Sequence, residues 1–174
     1  MTNFETAIKI VFDHEGGYGN DPDDPGGPTN FGLIFEDMRQ VGLPATVEQI
    51  QSLTPETAAS IYKKLYWDAM NMDLIKDASV AICIFDQGVL QGAQTSLRMV
   101  QEIVGVDQDG ELGPVTAAAI NAQDPKKLAI SFTRLCMHRF ARIVENNPSQ
   151  AKFIAGWTDR IFSLLNYGFF GDEN

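Results

Sequence analysis

Residues 78–89 read ASVAICIFDQGV, a segment that would be apolar around almost its whole circumference as a helix. Such a helix is typical of the centre of a helical domain. Gly92 is expected to end it, and residues 93–104 continue as a second helix. The chain is therefore predicted to be all-α (mainly helical), built outward from this central pair.

Helix-start signals recur on both sides of the pair. Near the N-terminus, one apolar stripe with helical spacing is formed by Phe4, Ile8, Val11 and Phe12 and predicts a helix. This helix should end near Glu15, because Gly16 and Gly17 follow. Residues 33–41 predict a short helix. Further starts, each a capping residue or a proline at the first helical position, are Thr46, Thr54-Pro55, Pro114, Asp124-Pro125 and Pro148.

Residues 16–32, GGYGNDPDDPGGPTNFG, are the least helical part of the chain. Glycine, proline, aspartate and asparagine favour turns, so this stretch is predicted to be a small β-hairpin or an irregular loop. Loops on a rigid helical scaffold often carry function.

Bulk composition excludes several classes of partner. The net charge of −10 argues against nucleic acid and against anionic membranes. No segment has the ~18 apolar residues of a membrane span, and the N-terminal MTNFETAIKIVF lacks a basic leader. We expect a chain made in the cytoplasm without a signal peptide and released by another agent. Cys83 and Cys136 lie among apolar residues and are expected to be buried free thiols.

Glu15 has the sequence context of a glycosidase acid. Glycoside hydrolysis usually needs a carboxylic acid that protonates the leaving oxygen, with a second carboxylate or a positioned water opposite it. Gly16 and Gly17 would let a polymer approach closely. Asp24 is the candidate second carboxylate, and Thr29 would orient the water.

The segment from Glu15 to Gly32 resembles the signature of glycoside hydrolase family 108, which reads roughly E-G-G-Y, a gap, then D-x-G-G-x-T-x-x-G. Residues 66–68 (YWD), 85–86 (FD) and 109–116 (DGELGPVT) are similar to further family segments, the last of them to a peptidoglycan-binding-like region. The resemblance covers about residues 4 to 165.

The resemblance implies a lysozyme-like fold with the hairpin or loop beside an active-site cleft. It implies a catalytic muramidase region at 1–92 and a helical peptidoglycan-binding-like region at 93–174. The implied reaction is hydrolysis of the β-1,4 bond between N-acetylmuramic acid and N-acetylglucosamine, in phage lysis with export through a holin or in wall remodelling by a secretion system. A monomer that needs no cofactor and no metal is expected. The alternative is a non-catalytic peptidoglycan-binding or secretion-accessory protein of the same fold.

Several side chains are candidates to contact the glycan strand. They are glycines, polar residues and aromatics of the family segments: Gly16, Gly17, Tyr18, Gly26, Gly27, Asn30, Trp67, Asp86, Gln87 and Gln91. Leu90 stands where the family usually has asparagine. If that asparagine contacts the sugar in relatives, this protein would use Gln87 or Gln91 instead, or would bind the glycan differently.

Two of these assignments have alternatives. Trp67 is either a core residue, the default for a large aromatic on a helix, or a wall on which a sugar stacks. Asp86 and Gln87 interrupt an apolar helix, so they either brace the active-site loop or point into the groove. The acidic runs around residues 21–24 and 107–110 lack the full spacing of a calcium loop and are expected to be turns.

Overall fold

The computed structural model describes residues 3–20 and 27–170, with side chains described through residue 168. Within these residues the chain is helical apart from short connections and isolated β-bridges. The α-helices are α1 (Asn3–Glu15), α2 (Phe35–Val41), α3 (Val47–Gln51), α4 (Pro55–Tyr62), α5 (Ala78–Gln91), α6 (Ala93–Val104), α7 (Pro114–Asn121), α8 (Pro125–Asn146) and α9 (Ile154–Leu165). Two π-helical turns (Lys63–Asp68, Asn166–Phe170) and two 3₁₀ turns (Met72–Leu74, Pro148–Phe153) complete the order.

Three of the predicted helix starts are confirmed by their caps. Thr46 Oγ1 accepts a hydrogen bond from Gln49 N at 3.2 Å, and Thr54 Oγ1 accepts one from Thr57 N at 3.3 Å. Asp124 Oδ1 does the same for Lys127 N at 2.9 Å. Each bond satisfies a backbone donor that the first helical turn leaves without an intrahelical partner.

Two helix boundaries differ from the predicted ones. The helix expected from Leu33 begins at Phe35, because the backbone of Leu33 is bonded to Asn30 in a β-bridge. After Pro148 the chain first makes a 3₁₀ turn, in which the Asn147 side chain accepts from Ser149 N, and α9 begins only at Ile154.

The chain divides into two compact units, Met1–Ala69 and Met70–Asn174. In the first, α2 packs on α4 and on the π-helical turn that follows α4. Its buried apolar side chains come from every helix of the unit and include Val11, Leu33, Met38, Ile50, Ile61 and Trp67.

The second unit is centred on α5, whose residues 80–88 are all buried. This helix packs against α6, α8 and α9, as its all-round apolar sequence predicts. Gly88 permits close packing, since a methyl group there would lie 2.7 Å from the Met70 sulfur. The central position predicted for this segment is confirmed within its unit.

Both cysteines are buried and free, as predicted. Burial raises the pKa of the Cys83 thiol far above its ordinary value. Burial also raises the pKa of Cys136 to about 12, against an opposing effect of the neighbouring Gln91 amide. Both thiols are therefore neutral and unreactive at ordinary pH. Among the described residues no helix is long and apolar enough to cross a membrane.

Candidate active site

Glu15 is the last residue of α1 and is half-buried. The helix ends there because Gly16 follows with a φ of +73°, a left-handed conformation that glycine adopts without the steric cost of a side chain. Gly17 and Tyr18 continue the chain on the surface. The predicted helix end is confirmed, and it places a carboxyl group where an ordered helix meets an exposed segment.

A tight hairpin turn brings the chain back to Glu15. Asn30 and Leu33 exchange backbone hydrogen bonds of 3.2 and 3.0 Å, with Phe31 and Gly32 between them at φ +52° and +76°. Two positive φ values in a two-residue loop are the pattern of a type I′ turn. Just before it, Thr29 and Gly19 form an antiparallel bridge. The hairpin predicted for residues 16–32 is therefore present in its described part.

Contacts from three directions hold this turn, in which Phe31 adopts a backbone conformation that disfavours a bulky side chain. The Tyr62 hydroxyl donates to the Phe31 carbonyl at 2.9 Å. The Phe31 ring lies 5.0 Å from that of Phe12, which is one turn from the end of α1. The Asn30 amide donates to the Ile50 carbonyl at 3.0 Å. The strained turn is thus fixed by the surrounding side chains.

Gly32 lies directly against the Glu15 side chain. A methyl group in place of its hydrogen would come within 2.7 Å of Glu15 Oε2 and within 2.8 Å of the Tyr62 hydroxyl oxygen. Only glycine fits this position, for reasons of space as well as of φ. The turn therefore sets where the Glu15 carboxyl can lie.

Tyr66 and Asp37 extend the polar surroundings of Glu15. The pKa of the Tyr66 hydroxyl is raised, first by burial and then by the charges of Asp37 and Glu15. Burial also raises the pKa of Asp37, although the Ile34 N–H that its carboxylate accepts at 2.9 Å opposes the shift. The Tyr66 ring packs 5.6 Å from that of Tyr62. The phenol stays protonated and able to donate a hydrogen bond beside two carboxyl groups.

Comparison with known proteins identifies the region of the chain that contains Glu15. The model of the family described as glycosyl hydrolase 108 matches residues 8–92, which include Glu15 and the whole hairpin. Residues 8–92 of the chain are therefore similar to glycosyl hydrolase family 108. A second model, described as a predicted peptidoglycan domain, matches residues 95–162.

A solved structure supports the fold of this chain. The protein in the structure of Brucella abortus SagA is 28% identical to this chain in sequence, and the two structures match with a TM-score of 0.80. The match covers 98% of this chain and 96% of that one. The all-α, lysozyme-like fold class predicted from the sequence is thereby confirmed. A search of curated proteins finds no match. Together the two family regions identify a peptidoglycan hydrolase of the glycosidase type.

The family models meet at residues 92–95, close to the predicted division at 92, whereas the compact units divide after Ala69. The physical reason for the earlier division is that α5, inside the first family region, packs on α6 and α8 of the second. The predicted division of roles at residue 92 stays a prediction.

The predicted glycan-contacting residues of the first unit fall into three groups. Gly16, Gly17 and Tyr18 are exposed, and a methyl group on either glycine would meet no atom within 4 Å. Thr29 is half-buried. Asn30 is buried, and its side-chain amide donates a hydrogen bond to the Ile50 carbonyl. Gly27 packs against the Phe35 ring. The predicted residues Asp24 and Gly26, together with the acidic run at 21–24, lie outside the described residues.

Trp67 is a core residue. Its side chain is only 1% exposed, and its ring meets that of Phe4 edge to face at 5.6 Å. This burial agrees with the packing alternative left open by the sequence and leaves no ring face for a sugar.

Asp86, Gln87 and Gln91 form a hydrogen-bonded chain inside the second unit. Arg160 Nε lies 3.0 Å from each carboxylate oxygen of Asp86, and Arg160 Nη2 is 2.9 Å from Oδ1. Gln87 donates to Asp86 at 3.0 Å, and Gln91 donates to Gln87 at 2.6 Å. Asp86 and Gln87 are completely buried, so their polar atoms serve this network and do not face a groove.

The second glycine-rich motif, residues 109–116, is held by the buried side chain of Gln101. Its amide nitrogen donates to Asp109 Oδ1 at 2.6 Å, to the Glu111 carbonyl at 3.0 Å and to Thr116 Oγ1 at 3.2 Å. Its amide oxygen accepts from Gly110 N at 2.9 Å. The motif is a turn, as expected. In the part of the chain that the structure describes, no group of three acidic, histidine or cysteine side chains is placed to hold a metal ion.

Sequence reasoning missed four contributors to the Glu15 site: Gly32 as its contact, the hydroxyl of Tyr62, Tyr66 and Asp37. Tyr62 is 31 residues from the carbonyl that it binds, and no spacing rule connects them. The sequence did contain one signal for such support. A two-residue hairpin loop at Phe31-Gly32 needs a positive φ at Phe31, which an aromatic residue adopts only when other side chains hold it.

Proposed function

We propose that this protein is an N-acetylmuramidase that cleaves the β-1,4 bond between N-acetylmuramic acid and N-acetylglucosamine, with Glu15 as the general acid. The observation that supports this most directly is the position of the Glu15 carboxyl. It lies over Gly32 at the end of α1, next to the exposed, unobstructed Gly16-Gly17 segment. A glycan strand passing this segment would bring its glycosidic oxygen within reach of that carboxyl.

In this mechanism Glu15 donates its proton to the leaving oxygen as the glycosidic bond breaks, and water adds to the anomeric carbon. The hairpin turn limits where the acid can lie, and the turn itself is supported by Phe12 and Tyr62, whose ring centroids are 6.0 Å apart. A fixed carboxyl needs no reorganisation before it delivers the proton.

The opposite side of the reaction is assigned to Asp24 or to a water held by Thr29. Thr29 is anchored by its backbone to Gly19, which keeps it on the hairpin that also carries Gly32. The protein would act as a monomer on peptidoglycan at the wall after release from the cytoplasm, in phage lysis through a holin or in secretion-linked wall remodelling.

The central test compares Glu15→Gln with Glu36→Gln, a control carboxylate that pairs with Arg39 on an exposed face. Clearing of a suspension of purified peptidoglycan should fall at least ~100-fold in Glu15→Gln, the low end of what one acid–base group contributes. Glu36→Gln should lyse normally, and both should keep the wild-type circular dichroism. Undiminished lysis by Glu15→Gln would remove Glu15 from its role.

The bond itself is identified by the products. Mass analysis of reduced muropeptides should show N-acetylmuramic acid at the reducing end, whereas N-acetylglucosamine there would mean that the other bond is cut. Asp24→Asn should lower the rate by at least ~100-fold if it serves the second role. Absence of any hydrolysis by the wild type, with retained binding to peptidoglycan, would favour the non-catalytic alternative.

A further inference from the structure

The second unit contains a cavity of about 200 Å³ between the end of α5 and helices α8 and α9. Its walls are mainly apolar, and two polar side chains reach it: the lining residues are Leu90, Gln91, Arg139, Phe140, Ile143 and Trp157. None of these residues belongs to the Glu15 site. The cavity is too small for a glycan chain, because sites for larger ligands typically exceed about 300 Å³.

Two buried polar atoms at this cavity have no hydrogen-bond partner: Arg139 Nε, a donor, and Gln91 Oε1, an acceptor. The orientation of the Gln91 amide is set, because its nitrogen donates to Gln87 Oε1 at 2.6 Å. Buried polar groups without partners cost free energy, and native structures contain few of them. Gln91 also has the Cys136 side chain as a hydrogen-bonding neighbour. The unsatisfied donor and the unsatisfied acceptor on this cavity form a pair that one ligand can complete.

No anionic side chain of the described residues pairs with Arg139. Asp86, the acidic group of the hydrogen-bonded chain that includes Gln91, is paired with Arg160. The neighbouring thiol of Cys136 is neutral, since burial raises its pKa to about 12. Arg139 therefore presents a guanidinium group beside apolar walls, an arrangement suited to a carboxylate ligand.

The wider surroundings favour an anion as well. Helix α8 carries five of the chain's lysines and arginines but only one acidic residue, although the whole chain has a net charge of −10. Within the cavity, Trp157 stacks on Phe140 with ring centroids 4.9 Å apart, which fixes a flat apolar wall. A ligand is therefore expected to combine a carboxylate, an N–H donor for Gln91 and a small apolar group.

The carboxyl-terminal residue of a short peptide has these three features. We propose that this cavity binds the free carboxyl end of a peptide that terminates in alanine, with the carboxylate on Arg139, the amide N–H on Gln91 and the methyl group against Trp157 and Leu90. In peptidoglycan such an end is supplied by the stem peptide. The identity of the ligand source rests on the proposed function, whereas binding itself does not involve Glu15.

The test is calorimetric titration of the full chain, in its Glu15→Gln form so that no substrate is consumed, with N-acetyl-D-alanyl-D-alanine. The same peptide as its carboxamide, N-acetyl-L-alanyl-L-alanine and the peptide-free disaccharide are the comparison ligands. The free acid should bind at least ~10-fold more tightly than the carboxamide, because a hydrogen bond to a charged group contributes more than that factor. Tighter binding of the D-peptide than of the L-peptide would point to peptidoglycan as the source, and equal binding would point to peptide ends in general.

Two matched variants locate the site. Arg139→Gln should weaken binding of the free acid at least ~10-fold, whereas Arg142→Gln, which removes an exposed charge from the same helix, should change it less than ~2-fold. Equal affinity for acid and carboxamide, an equal loss in both variants, or binding of the disaccharide alone would overturn the proposal. The acid–carboxamide comparison needs no variant, so it decides even if Arg139→Gln folds poorly. Peptide binding without any hydrolysis of peptidoglycan by the wild type would reject the proposed function and leave this inference standing.

Discussion

Glu15 in the first unit and Asp86 in the second are both carboxylates that the sequence singles out, yet their environments are opposite. Asp86 is completely buried, and its unit supplies a full set of partners in Arg160 and Gln87. Glu15 ends a helix, lies over a glycine and borders an exposed segment. A carboxylate whose partners come from its own core stabilises the fold, whereas one placed at an open edge is available for chemistry.

The largest expected effect is on stability, from Asp86→Ala. The substitution leaves the Arg160 guanidinium buried without its counter-charge, which costs about 3–5 kcal/mol in comparable buried pairs. Urea unfolding should show this loss, while peptidoglycan hydrolysis well below the unfolding midpoint should stay close to that of the wild type.

The matched control is Asp68→Ala, which breaks the exposed ion pair with Lys63. That pair should contribute at most about 1 kcal/mol, because solvent screens it. Loss of hydrolysis in folded Asp86→Ala, without a change in stability, would reverse the contrast between the two carboxylates.

The next effect is on activity, from Gly32→Ala. The added methyl group would lie 2.7 Å from Glu15 Oε2, so the acid must move or the turn must open. A misplaced acid should lower hydrolysis by about 100-fold. The assay is the same clearing of purified peptidoglycan, read beside the unfolding midpoint.

Gly42→Ala provides the comparison, because Gly42 also has a positive φ but open space around its Cα hydrogen, and it lies outside the Glu15 site. Both variants should be destabilised by about 1 kcal/mol from backbone strain. Only Gly32→Ala should lose most of its activity. Equal activity in the two would mean that the contact with Glu15 is unimportant.

A smaller effect is expected from Tyr62→Phe, which removes the hydroxyl that donates to the Phe31 carbonyl and keeps the aromatic ring. One such bond contributes about 1 kcal/mol to the free energy of unfolding. Because the turn also positions Glu15, the rate of hydrolysis should fall with stability. Tyr167→Phe, at an exposed hydroxyl, should change neither quantity.

Much of this molecule follows from local sequence rules. The caps at Thr46, Thr54 and Asp124 and the end of α1 at Gly16 depend only on residues within four positions, and the structure has them all. The all-round apolar character of α5 likewise identified it as the centre of its unit.

What the sequence could not provide depends on residues that are distant in the chain. The partner of Asp86 is 74 residues away, so no spacing could show that this carboxylate is paired and not facing a groove. The support of Phe31 by Tyr62 is of the same kind. Asp24 and Thr29 remain predictions, and the contact of Glu15 with Gly32 exists only in the folded turn.

The smallest expected effect is on stability at low pH and comes from Asp109, in the turn of residues 109–116. This exposed carboxylate differs from both Glu15 and Asp86. The pKa of Asp109 is lowered, chiefly by the hydrogen bond from Gln101 and then by the Glu111 N–H. A carboxylate with a lowered folded-state pKa stabilises the protein above its unfolded value of about 3.9, and this contribution is lost as the pH falls through the folded value. Asp109→Asn should therefore lower stability slightly at pH 7 and flatten its decline below about pH 4. Asp107→Asn, at a nearby exposed carboxylate, should leave that decline unchanged. Urea unfolding of both variants between about pH 2.5 and 7 would measure the free energy of unfolding as a function of pH. If the loss of stability at low pH is the same in Asp109→Asn as in the wild type, the turn is held by Gln101 and the backbone without help from the charge.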